Sequence, residues 1–228
     1  MILTAHQPVY LPWLGLFDKI AKADVFVIFD TVQYLPKDWM NRNKIKIKDD
    51  YTYLSVPILD KGYLKKKIYE IKINNQVNWK KKHFKTIYNN YKKSKYFDKY
   101  IHFFENLYSK EWEFLCDLNT YILEFFLQEL RIKTKILKAS EINIKGKKSD
   151  LILDMCKKLN ANCFIFGEQG KNYAEVDKFK KCKINIIFQK YEHPIYNQIQ
   201  GNFISHLSII DLLFNCGDKS LKILLNKI

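Results

Sequence analysis

Apolar and polar positions fall into short, distinct blocks along the chain. Ile2-Leu3-Thr4-Ala5 predicts a strand and runs straight into His6-Gln7-Pro8-Val9-Tyr10-Leu11-Pro12. Two prolines four residues apart forbid a helix there and hold an extended loop. From Trp13 to Ala23 the apolar residues fall at 13, 14, 16, 17 and 20, a helical spacing. Val25-Phe26-Val27-Ile28-Phe29 is an unbroken apolar run, suited to a strand covered on both faces, and Asp30 ends it. Strand, loop, helix, strand implies a parallel pair joined by a crossover.

Further along, Lys44–Lys48, Tyr53–Pro57 and Ile68–Ile73 predict short strands, and 78–130 predicts helix. The helical region opens at Asn78–Tyr91, with Trp79, His83, Phe84, Ile87 and Tyr91 on one stripe. It resumes near Trp112 and runs to Leu130. Residues 134–138, Cys163–Phe166 and Ile184–Gln189 predict more strands. Ser149 is the expected N-cap of a helix at Asp150–Leu159. Leu207–Phe214 predicts a closing helix, opened by Ser208 and Asp211 and stopped by Gly217. The expected fold class is α/β: a mainly parallel sheet with flanking helices, a Rossmann-like core, and a helical insertion around 78–130. Seven Gly and five Pro build few linkers, so a single domain over 1–228 is expected. There is no internal repeat, and the Lys-rich runs 64–67 and 80–82 are the only biased stretches.

In open parallel sheets, ligands bind beyond the carboxyl ends of the strands. His6 lies just past the first strand, and Asp30, Gln33 and Tyr34 lie just past the second. These ends are expected to meet, with Asp30 orienting the His6 imidazole for proton transfer and Gln7 supplying an amide. Trp39, Asn41, Arg42 and Asn43 form a polar and aromatic cluster. Arg42 is one of two arginines, and its planar fork suits bidentate binding of carboxylate or phosphate. Gly167-Glu168-Gln169-Gly170-Lys171-Asn172-Tyr173 follows a strand and fits a substrate-contacting turn, with Gly167, Lys171 and Tyr173 as contacts; it is neither a Walker loop nor a dinucleotide fingerprint. His193, Tyr196 and Gln198 stand in a long polar-aromatic connection, where function concentrates.

Composition adjusts this picture in three ways. The chain of 228 residues is 47% hydrophobic, enough for a sizeable core. The net charge of +15 points to an acidic partner, either nucleic acid, an acidic carrier protein or an anionic substrate. Against that, nearly all the cations are lysine, which composition bias alone produces, and specific readers of phosphate and bases lean on arginine. Five cysteines at irregular spacing, with no CxxC, argue for reduced thiols rather than a disulfide framework or zinc site. Cys156 and Cys163 read as small core residues. No metal-ligand spacing appears. The start Met1-Ile2-Leu3-Thr4-Ala5-His6 has no basic region or long apolar run, and no apolar window spans a membrane, so a cytoplasmic chain is expected.

These blocks resemble the WbqC-like proteins. The resemblance rests on His6-Gln7-Pro8-Val9-Tyr10-Leu11-Pro12-Trp13-Leu14-Gly15-Leu16-Phe17-Asp18-Lys19-Ile20, Asp24 to Val27, Asp30-Thr31-Val32-Gln33-Tyr34 and Asn41-Arg42-Asn43. It continues at Val56-Pro57, Trp79, Ser140-Glu141, Gly167 to Tyr173, His193 to Gln198 and Leu207 to Gly217. Ser205-His206 departs from it, since the family pattern has a proline there. The resemblance implies a place in bacterial surface-polysaccharide (O-antigen) biosynthesis and transfer of glycine or another acyl group to an amino sugar. It adds Tyr10 to the substrate contacts.

On that reading His6 is the base and Asp30 orients it. Arg42 and nearby lysines hold the diphosphate of a nucleotide-linked amino sugar, and Trp39 or Tyr34 stacks on a base or sugar face. Two activated donors fit, an aminoacyl-tRNA or a carrier-protein thioester. A looser similarity in architecture to pantothenate synthetase points to an alternative, an ATP-dependent ligase acting through an adenylate, although the paired-histidine HxGH motif is missing. A non-catalytic module binding nucleic acid or a carrier protein is the third reading.

Overall fold

Four-residue apolar strands need cover on both faces, and the chain supplies it. The computed structural model describes residues 1–59, 62 and 65–226. Leu64, at the head of the 64–67 run, lies outside them. The order is β1 (Ile2–His6), α1 (Leu14–Ala21), β2 (Val25–Ile28), then a hairpin of β3 (Arg42–Ile47) and β4 (Asp50–Ser55). Next come α2 (Trp79–Tyr91), α3 (Phe97–Ser109), α4 (Leu115–Glu129), β5 (Lys135–Lys138), α5 (Ala139–Ile142) and α6 (Ser149–Lys158). The chain continues through β6 (Cys163–Phe166), α7 (Val176–Lys181), β7 (Asn185–Phe188), α8 (Ile209–Cys216) and α9 (Ser220–Leu224).

Among the described residues, five strands form one parallel sheet in the order β5-β2-β1-β6-β7. The register sets Leu3 beside Val25 and His6 beside Ile28. Alternation then sorts the side chains by face. Phe26 and Ile28 join a core with α1, the three helices α2, α3 and α4, and α8. Leu3, Ala5, Val25 and Val27 join a second core with Ile152, Met155 and Cys156 of α6 and Phe179 of α7. Each fully buried side chain of this size contributes about 1.5–3 kcal/mol. The core is thus an α/β sheet covered on both faces, consistent with a Rossmann-like arrangement, with α2, α3 and α4 inserted between β2 and β5. No helix among the described residues is long and apolar enough to cross a membrane.

Several local expectations need correction. Ile68–Ile73 is not a strand: Ile68–Glu70 is a 3₁₀ turn, closed by Ile71 N–H on the Ile68 carbonyl at 3.1 Å. Ser149 is not the N-cap of α6 but its first residue, and its Oγ accepts from Glu175 N–H at 3.0 Å. The second helical stretch begins at Leu115 rather than near Trp112, and α9 follows the helix expected to close the chain. Ser208 does cap α8 and Gly217 does end it, with φ 53°.

Candidate functional site

The connections β1 to β2 to β5 step one way across the sheet, and β6 to β7 step the other. The order therefore reverses between β1 and β6, and the crevice beyond their carboxyl ends is the place where such sheets bind ligands. His6 ends β1, and Gly167 follows β6.

His6 is partly buried, and its Nδ1 lies 2.9 Å from the Gln7 carbonyl. A carbonyl only accepts, so Nδ1–H is the donor and Nε2 keeps its lone pair. Burial, with the nearby Lys19 cation, pushes the imidazole down to about 3, against a smaller upward pull from the Gln7 carbonyl. The ring is therefore neutral at pH 7. It meets Trp13 edge-on at 5.3 Å.

Asp30 does not orient this ring. Its carboxylate is buried and accepts from Ser140 N–H at 2.9 Å and Ser140 Oγ–H at 2.5 Å. It ties the end of β2 to the start of α5, and the Gln7 carbonyl fixes the His6 tautomer instead. Ser140→Ala removes one hydrogen bond to a buried carboxylate and is expected to cost about 1.5–3 kcal/mol, read as a shift in urea midpoint at unchanged slope.

Lys19 was not anticipated. It is 3% exposed and donates to the Ala5 carbonyl at 3.0 Å, and burial lowers it to about 8. Seven of the eight residues of α1 are buried, so its charged positions have no solvated face. The run Leu14-Gly15-Leu16-Phe17 is the sequence signal for such a helix, apolar all round. Asp18, also buried, accepts from Lys22 at 2.9 Å and from Gln189 Nε2 at 2.7 Å.

The cluster at 39–43 divides. Asn41 donates to the Val56 carbonyl at 2.9 Å and Asn43 to the Leu11 carbonyl at 2.7 Å, so both amides hold loops together. Trp39 packs against Trp13 at 6.3 Å and Tyr53 at 6.4 Å between ring centres, which links the cluster to His6. Arg42 lies over Tyr53 at 4.8 Å and donates to the Lys37 carbonyl; among the described residues no carboxylate pairs with it.

Three tyrosines expected at the substrate lie in the core. Tyr10 is fully buried, with its hydroxyl 2.9 Å from His83 Nδ1 and 2.6 Å from the Tyr108 hydroxyl. Tyr34 is 2% exposed. Tyr196 donates to the buried Asp211 carboxylate at 2.9 Å, and Tyr91 donates to its other oxygen at 3.0 Å. Gln198 is held at both ends of its amide by Ile204. His193 stacks on His206 at 4.8 Å and accepts from its backbone N–H at 3.3 Å. His206 has φ 59°, which proline cannot adopt.

Gln33 is exposed and bridges to Lys67. Gly167 heads the 3₁₀ turn Glu168–Asn172, with Lys171 and Tyr173 exposed, and a Cβ on Gly167 would meet open space. Two clefts lie elsewhere. One of about 410 Å³ includes Asp24, Arg131 and Thr134 at the amino edge of the sheet, and one of about 320 Å³ lies between β4 and α2.

The sequence profile of the WbqC-like protein family matches residues 7–223. The chain belongs to the WbqC-like protein family. It is similar to the uncharacterized protein Rv1507c of Mycobacterium tuberculosis, 30% identical over 213 residues, covering 92% of each chain. No solved structure matches it significantly.

Proposed function

We propose that this WbqC-like chain transfers an aminoacyl or acyl group to the amine of a nucleotide-linked amino sugar, in bacterial surface-polysaccharide synthesis. The observation that carries the reading is the state of His6: a neutral imidazole at the strand-order reversal, with Nδ1–H held by the chain and Nε2 unprotonated.

The amine nitrogen attacks the carbonyl carbon of an activated ester or thioester. A C–N bond forms, and the bond to the leaving oxygen or sulfur breaks. Bonding to carbon makes the nitrogen far more acidic, so a weak base suffices to take its proton. His6 Nε2 accepts that proton and returns it to the leaving group. Open space at Gly167 admits the nucleotide-linked sugar. Asp30 has no step in this scheme.

The test is direct. The purified protein is mixed with nucleotide-linked amino sugars and with either glycyl-tRNA or a glycyl-thioester carrier protein. Mass spectrometry is expected to show an N-acylated sugar nucleotide from one donor. No product from either donor with any sugar overturns the reading.

A further inference from the structure

Side chains alternate across a strand pair, and residues opposite one another share a face. In the β3–β4 hairpin Asn43, Ile45 and Leu54 turn inward. Lys44 stands opposite Tyr53, and Lys46 opposite Tyr51. Lys44 Nζ lies 4.1 Å above the Tyr51 ring, 5.8 Å from Tyr53 and 5.9 Å from Trp39. Arg42 lies over Tyr53. Tyr51 and Tyr53 are 38% and 40% exposed. Among the described residues neither Arg42 nor Lys44 forms a salt bridge.

The rings continue inward. Tyr51 meets Tyr53 at 5.8 Å, Tyr53 meets Trp39 at 6.4 Å, Trp39 meets Trp13 at 6.3 Å, and Trp13 meets His6 at 5.3 Å. The track thus runs from an exposed, cation-lined hairpin to the imidazole. Aromatic rings interleaved with cations that no carboxylate neutralises are what a single-stranded nucleic acid needs: rings stack on successive bases, and cations meet phosphates. A sugar nucleotide brings one base and does not occupy four rings. A folded acidic carrier protein covers the exposed Tyr51 and Tyr53, whereas the partly buried Trp39 and Trp13 suit a strand thin enough to thread between elements.

We propose that this track binds the single-stranded 3′ end of an RNA, with its acylated terminus at His6, which makes an aminoacylated RNA the donor. The proposal rests on the transfer reading of His6 and names its donor class.

The probe is a fluorescent single-stranded RNA ending in CCA, followed by anisotropy at several salt concentrations with the full chain. Saturable binding is expected, weakening with salt by a log–log slope of about −0.7 per phosphate contact. Tyr53→Ala is expected to weaken it roughly 5- to 100-fold. Lys44→Ala is expected to reduce the slope by about 0.7. Both side chains are partly exposed, so the variants should melt with the parent, and melting is measured alongside. Equal affinity for a blunt duplex of the same length, or unchanged binding in both variants, overturns the proposal. Transfer from a thioester carrier protein without RNA binding also overturns it and leaves His6 as the base. Ring-dependent RNA binding with no transfer from either donor keeps the RNA site and overturns the transfer reading instead.

Discussion

His6→Gln is expected to lower acyl transfer by about 10²- to 10⁴-fold while leaving sugar-nucleotide affinity within a few-fold of the parent. The glutamine amide can still reach the Gln7 carbonyl and fill the space beside Trp13, so the loop it anchors should persist. What it lacks is the unprotonated ring nitrogen that the Nδ1–H bond at 2.9 Å leaves free. The loss should therefore fall on kcat, with KM little changed, because the proton moves only as the C–N bond forms. Calorimetric titration with the sugar nucleotide separates the two quantities. Transfer within tenfold of the parent would remove His6 from the chemistry.

The second large effect is on stability in acid. Burial holds three imidazoles below their ordinary value of 6.5: His6 at about 3, and His83 and His193 at about 4. In the unfolded chain all three take up protons near pH 6.5, so between pH 6.5 and 4 the unfolded state binds more protons and stability falls as pH falls. Asp211 opposes this. Burial raises its carboxyl from 3.8 to about 6, so the folded state takes that proton first and gains stability as pH drops through 6. His193 is partly exposed, and solvent screening reduces its share. The balance is an uptake of roughly one to two protons on unfolding near pH 5, worth about 1.4 kcal/mol per pH unit for each proton. Urea midpoints at pH 4.5, 5.5, 6.5 and 7.5 measure it. Asp211→Asn should steepen the fall by removing the opposing group. A flat profile over pH 4.5–6.5 contradicts the assignment.

The parts of the fold legible in the sequence were those where one periodicity dominates. The opening strand, helix and strand announce themselves because the proline loop at Pro8 and Pro12 separates two clear patterns. Ile68–Ile73 misled because Ile68, Ile71 and Ile73 are strand formers. Their backbone is governed instead by a turn and by Tyr69 N–H donating to the Asp30 carbonyl at 3.1 Å. Asp30 stands at the strand end as expected, but its partner Ser140 is 110 residues away, beyond any local signal. Tyr10 stands in the proline loop, and only the family resemblance set it at the substrate. His83 and Tyr108, from two inserted helices, draw its hydroxyl into the core. The hairpin track was missed although part of its pattern is local: Arg42 and Lys44 alternate with Asn43 and Ile45, and Tyr51 and Tyr53 stand two apart on the paired strand.

The loop that follows His6 is pinned by segments made much later. Tyr10 N–H donates to the Trp39 carbonyl at 3.2 Å, and the Pro12 carbonyl accepts from Ile209 N–H at 2.8 Å. Ser208 N–H donates to the Lys44 carbonyl at 2.9 Å, and β1 itself pairs with β6 at Cys163, Phe164 and Ile165. Chains are synthesised from the N-terminus, and pairings of long sequence separation form late. A ribosome that has read as far as the helical insertion holds a chain with every ring of the track and no fixed place for His6. The loop that carries His6 therefore closes late in translation, once Ile209 has cleared the exit tunnel and can donate to the Pro12 carbonyl.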